Sequence, residues 1–300
     1  MSCDFKEDVI WTIDKDKLNQ ILFDKKNGLL FKKFEYAGSI VFDDDESTCE
    51  VKNIKKQICN EKSCKILNDT YKSCNKKIKK TEIKKGDKDS VSTPLSIINF
   101  HTHPLSCYID NNTIWGWPSG EDLRACIDFA LNGNLIHVIF ALEGTYLIKV
   151  NFDLLKYIKN KNTKECIEQI FQYTHRYRCF DEDNLINNFK ITHLNVLGIE
   201  PKEFIVESWL DLVNSITLNF VALLCNNLNI KYKASFGIRD LNKKIFQVQL
   251  IKNYSFQWNN QSKEKKFEEL KLYSKLKNNI ELPEKISFVA PFVSSSCKLN

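Results

Sequence analysis

One stretch limits the architecture more than any other: a short apolar run, residues 94–100, that ends directly in His101-Thr102-His103-Pro104. The run is compact and β-rich enough for a buried strand. Further on, the chain reads Pro118-Ser119-Gly120-Glu121-Asp122. Ser119 is a good N-cap for a helix over residues 122–131, with Leu123, Cys126, Ile127 and Ala130 on one face. Gly133 closes that helix, and residues 135–142 and 146–150 read as two strands around Glu143-Gly144-Thr145. A strand, a helix and a strand pair in this order point to an α/β arrangement, a mixed sheet flanked by helices.

Upstream, residues 9–13 read as a strand and residues 14–22 as a short helix, and Asn27-Gly28 signals a turn. Residues 29–42 read as largely extended and hold Glu35 and Gly38. Residues 47–90 show no sustained period and read as an inserted loop rich in lysine and cysteine. The texture changes again near residue 151. Beyond it come helical patterns over 154–178 and 201–228, strands near 232–238 and 245–251, a charged helix over 263–278 and a closing strand over 286–293. The expected organisation is a first domain, 1–151, and an α-rich α+β second domain, 152–300.

The chemistry concentrates at the end of the apolar run. In an extended backbone the side chains of His101 and His103 point to the same face, so both imidazoles can reach one ion. A bare H-x-H is often a coincidence in a polar turn. This pair ends a buried-looking strand, is followed by Pro104 and precedes a Ser-x-x-Asp at a helix start. Asp122 completes a three-ligand set and leaves a fourth tetrahedral position open, as catalytic zinc sites do.

Glu35-x-x-Gly38, His101-Thr102-His103-Pro104 and Pro118-Ser119-Gly120-Glu121-Asp122-Leu123 together resemble the signature of the MPN/JAMM (JAB-type) zinc metalloproteases. The resemblance covers roughly the first half of the chain. It implies an MPN fold and one catalytic zinc on His101, His103 and Asp122. It also implies Glu35 as the general base and acid, and Ser119 as a donor to the developing oxyanion. Read alone, Glu35 is an ordinary solvated strand carboxylate, and Ser119 has its helix cap as a rival role. The implied activity is hydrolysis of isopeptide bonds to ubiquitin or a ubiquitin-like protein, a deubiquitinase activity. Two departures stand out: eighteen residues separate His103 from Asp122, and the lysine-rich insertion separates Glu35 from His101. Both fall in loops, where extra length costs little.

Composition constrains the alternatives. Of the net charge of +6, the window from Lys52 to Lys88 holds +9, from thirteen lysines against four acids, so the remainder is slightly acidic. Within that window Tyr71 is the sole aromatic, too few for a base-stacking platform, which argues against nucleic acid as partner. Trp115 and Trp117 lie between the expected ligands and suit either a substrate cleft or the core. Cys49, Cys59, Cys64 and Cys74 are separated by nine, four and nine intervening residues along the insertion, a poor match to a zinc knuckle. Free thiols are the expectation there, with a second, structural zinc as the alternative. The first residues show no secretory pattern, and the most apolar long stretch, 204–225, carries Glu207 and Asp211. An intracellular protein, cytoplasmic, nuclear or virion-associated, without a membrane span is expected. The lean toward Lys, Asn and Ile suits an AT-rich genome such as that of a parasite or a large DNA virus. The rival functions are an assembly component acting through 152–300 and a nucleic-acid-associated protein using the basic loop.

Overall fold

The computed structural model describes residues 8–14, 22, 28–42, 49–60, 63–74, 78–111, 113, 116–150, 246–252, 265, 268 and 285–291. Ten strands build two sheets: β1 (Asp8–Asp14), β2 (Tyr36–Phe42), β3 (Cys49–Asn60), β4 (Ser63–Cys74), β5 (Ile78–Lys85), β6 (Ile98–Thr102), β7 (Ile136–Phe140), β8 (Gly144–Val150), β9 (Phe246–Lys252) and β10 (Lys285–Pro291). Helices α1 (Leu105–Asp110) and α2 (Gly120–Leu131) both lie between β6 and β7. A 3-10 turn, Leu29–Phe31, precedes β2.

The six-stranded sheet has the order β5-β2-β6-β7-β8-β9. Only β6 and β7 run parallel; the other neighbours are antiparallel. A parallel pair needs a crossover, and α1 and α2 supply it. The central strands β6 and β7 are buried at every residue; β7 is apolar but for His137, whereas β6 alternates Ile98 and Phe100 with the polar Asn99 and His101. On one face Phe100 and Phe140 meet edge to face, their centroids 5.5 Å apart. The apolar stripe of α2, Leu123, Cys126, Ile127 and Ala130, is buried, and the helix packs against β7 and β8. The chain thus has α/β character, with a mixed sheet and few flanking helices among the described residues.

Strand alternation sets the site. Asn99 and His101 share one face of β6, and register places Asn99 beside His137 on β7 and His101 beside Ala37 on β2. Glu35, two residues before Ala37, continues the same face. Its backbone is held on both sides, by Glu35 N to Asp87 O (3.0 Å) and Gly86 N to Glu35 O (2.9 Å).

One expectation changes. The lysine-rich segment is not a loop. It forms β3, β4 and β5, with β3 and β4 paired over twelve uninterrupted register positions and β5 paired to β2. Ladder bonds join backbone groups, so charged strands can pair without a hydrophobic period to announce them. The second sheet, in the order β10-β1-β4-β3, therefore draws on this segment. The register also sets Cys49 opposite Cys74 and Cys59 opposite Cys64. Ten residues along a strand span about 33 Å, so one zinc cannot gather all four cysteines. Two strands from beyond residue 151 join these sheets: β9 pairs with β8 and β10 with β1. The expected helices over 154–178 and 201–228 and the strand near 232–238 fall outside the described residues.

Gly38 marks the tightest strand packing. A Cβ there would lie 1.9 Å from Glu82 O and 2.8 Å from the Phe100 ring. Gly38→Ala should cost about 1–3 kcal/mol by overpacking. A thermal melt should show the loss, and an unchanged midpoint would mean that β5 does not lie this close to β2.

Candidate metal centre

Three donors converge where β6 ends and α2 begins. His101 is the fourth residue of β6, and His103 follows the strand with its N–H bonded to Phe140 O (2.8 Å). Asp122 is the third residue of α2, in a capping box with Ser119. Ser119 Oγ accepts from Asp122 N (3.1 Å), and Ser119 N donates to Asp122 Oδ2 (2.6 Å). This box aims the Asp122 carboxylate back toward the strand end.

The separations suit one ion. A tetrahedral ion with bonds of about 2.0–2.1 Å holds its donors about 3.3–3.4 Å apart. Here His101 Nε2 and His103 Nε2 are 3.0 Å apart, His101 Nε2 lies 3.4 Å from Asp122 Oδ1, and His103 Nε2 lies 3.6 Å from Asp122 Oδ2. With one oxygen of Asp122 as ligand, all three donor atoms fall within 4.8 Å of one another. Oδ1 is the better ligand, because Oδ2 already accepts the Ser119 N–H.

Hydrogen-bond polarity makes the case stronger. Asn99 Nδ2 donates to Pro94 O (3.0 Å), which turns Asn99 Oδ1 toward His137 Nδ1 (2.8 Å). An amide oxygen only accepts, so His137 Nδ1 carries the proton. Burial holds His137 well below its ordinary pKa, hence neutral, and its Nε2 is an acceptor. His101 Nδ1, 2.8 Å away, must then donate, which leaves the Nε2 lone pair of His101 facing the cluster. On the other side Gly116 O accepts from His103 Nδ1 (2.7 Å), so His103 also turns an Nε2 lone pair inward. Two imidazole Nε2 atoms and a carboxylate that face one another at these distances can hold a metal ion.

The electrostatics divide the two imidazoles, and a metal ion would take the place of the proton that a raised His103 pKa favours. Burial pushes His101 down to about 4, against the pull of Asp122. Burial also opposes the charge of His103, but Asp122 and Glu35 outweigh it and raise its pKa. Asp122 is pulled the other way: burial favours its neutral form, yet His101, His103 and the Ser119 bonds hold it below the ordinary carboxylate range.

Glu35 opens onto the same cavity, of about 820 Å³, beside His101, His103, Trp117, Ser119 and Asp122. Burial lifts its carboxyl to about 7, with His103 opposing and Asp122 adding to the rise. The Cys107 thiol, kept protonated by burial, lies 3.5 Å from Glu35 Oε1 as a donor. The structure therefore brings together Glu35, His101, His103, Ser119 and Asp122. Trp117 lines the cavity and is buried, while Trp115 falls outside the described residues.

Sequence reasoning missed the supporting residues. Asn99, His101 and His103 form an every-second-residue polar series along β6 and just past its end, and His137 is the one polar residue of β7. That pattern was the available signal. Glu143, read as part of a turn, is buried and accepts from Tyr108 Oη, Tyr146 Oη (2.7 Å) and Gly116 N (2.8 Å). Tyr108 Oη also accepts from Leu142 N (2.9 Å). Glu143 thus fixes Gly116, the residue whose carbonyl orients His103. Nothing in the sequence alone marked that link.

Comparison with known proteins gives little. No family model matches the chain, and no solved structure gives a significant match. A frog virus 3 protein, described as uncharacterized protein 3R, is 26% identical over 147 residues, covering 43% of this chain and 33% of the relative. The chain thus matches about a third of that relative's length.

Purified protein should hold about one zinc per chain, and His103→Ala or Asp122→Ala should lose it. His137→Leu should keep zinc but weaken it by roughly 10–100-fold, as loss of an orienting partner does. Competition with a chelator reads both effects. Full occupancy in a His103/Asp122 double alanine variant would refute the ligand set.

Proposed function

We propose that this chain is a zinc-dependent isopeptidase with an MPN/JAMM-type site, acting on ubiquitin or ubiquitin-like conjugates. The observation that carries the reading is the pair of inward-facing imidazole lone pairs beside Asp122, with a buried carboxylate, Glu35, in the same cavity. The order of motifs and their placement, Glu35 before β2, His101 and His103 at the end of β6 and Asp122 in the first turn of α2, supports the resemblance to that family. The substrate class rests on that resemblance.

When bound, zinc supplies Lewis acidity, polarising a carbonyl and acidifying water. His101, His103 and Asp122 would hold it. Glu35 takes a proton from the water that attacks the isopeptide carbon. As the carbon–nitrogen bond breaks, Glu35 delivers that proton to the leaving amine. A carboxyl near neutrality suits both transfers, since it is ionised in part and protonated in part at working pH. Ser119 Oγ accepts one bond in the capping box and keeps its own proton, so the same hydroxyl can donate to the developing oxyanion.

The test is release of ubiquitin from a defined chain, with metal measured on the same sample. Glu35→Gln should retain zinc and lose turnover by roughly two to four decades. The wild-type rate should rise with pH along an acidic limb at or below about pH 7, because a nearby cation can only lower the Glu35 pKa. That limb should vanish in Glu35→Gln. Near-wild-type cleavage by the zinc-loaded variant would assign the base to another group. An inactive wild-type chain with zinc in place would instead favour the assembly role.

A further inference from the structure

The β3–β4 ribbon places four cysteines in two facing pairs. Cys49 is opposite Cys74 and Cys59 is opposite Cys64, in one uninterrupted register. Directly opposed residues of an antiparallel pair have Cα atoms about 4.5–5.5 Å apart, inside the about 4.4–6.8 Å range a disulfide requires. The two pairs are separated by an even number of positions. They therefore occupy the same face of the ribbon and the same class of ladder position. A register shifted by one residue would oppose none of the four.

We infer that Cys49–Cys74 and Cys59–Cys64 are two cross-strand dithiol pairs, each closing into a disulfide by exchange with a disulfide oxidant such as oxidised glutathione. One thiolate of a pair attacks a sulfur of the oxidant, forming a mixed disulfide and releasing the first thiol. The opposed cysteine then attacks the mixed disulfide, releasing the second thiol. Two electrons pass from the pair to the oxidant, whose disulfide becomes two thiols, and the protons of the two cysteines pass to those leaving sulfurs. Strand pairing holds the second cysteine opposite its partner throughout, so closure within a pair outruns capture by another chain.

The pairs differ in consequence. Cys59–Cys64 closes a short ring near one end of the ribbon, whereas Cys49–Cys74 closes a ring spanning nearly all of it. Constraint on the open chain grows with ring length, so the second bridge is the stronger clamp. It also falls where Cys74 pairs with Trp11 of β1, the junction between the ribbon and the rest of its sheet. This proposal is independent of the zinc site, because the two sets of residues share no member.

The experiment titrates the full chain with mixtures of reduced and oxidised glutathione, alkylates the remaining thiols, and maps non-reduced tryptic peptides by mass spectrometry. Lys62 separates Cys59 from Cys64 for trypsin, and several lysines separate Cys49 from Cys74. The expected crosslinks are 49–74 and 59–64 in monomeric protein, the two members of each pair losing alkylation in step. Cys49→Ser should leave Cys74 fully alkylatable while 59–64 still closes over the same range. Crosslinks 49–59, 49–64, 59–74 or 64–74, mainly intermolecular products, or four thiols alkylatable throughout would each overturn the proposal. So would added zinc protecting all four cysteines together.

Discussion

The hydrogen bond between Asn99 Oδ1 and His137 Nδ1 lies deep in the sheet, two residues back along β6 from the nearest ligand. Its direction is fixed by the Pro94 carbonyl on the far side of the Asn99 amide, and by Asn134 Nδ2, which also donates to Asn99 Oδ1 (2.9 Å). From there each ring passes its polarity to the next, until a lone pair emerges at the ligand end. A polar chain of this kind tolerates burial only when every member is satisfied. The same bonds that select a tautomer also join the side chains of β6 and β7, so the ligand chemistry draws on the register that brings these strands together.

The two carboxylates of the cavity illustrate how position divides labour. Asp122 sits at a helix N-terminus with backbone N–H groups and two imidazoles around it, and stays readily ionised. Glu35 leads into a strand, with a thiol and a buried wall for company, and its proton is held far more tightly. Identical functional groups a short distance apart thus suit different tasks, one binding a cation and the other moving a proton.

How much of this was legible depends on which atoms carry the information. Side-chain signals were readable: the Ser119 cap, the α2 stripe and the β7 run stand where pattern placed them, while the buried strand expected over 94–100 lies at Ile98–Thr102 and takes in His101, with Leu95 exposed. Backbone signals were not. Strands β3, β4 and β5 are rich in lysine and lack alternation, yet they ladder, because main-chain bonding is indifferent to what projects from it. Helix α1 was hidden for a related reason: residues 104–118 read as irregular, and Tyr108 matters through a hydroxyl contact with Glu143 from another part of the chain. Pairings of β9 and β10 with the first half span long sequence separations that no local window contains.

The anchoring of Gly116 makes one buried carboxylate a keystone. Tyr108 and Gly116 both meet Glu143, which immediately precedes β8, while the Gly116 carbonyl holds His103. A change at Glu143 would therefore be felt at His103 through Gly116, although neither Glu143 nor Gly116 belongs to the donor set. The cavity's geometry is in this sense set from behind, by a residue that never faces an ion.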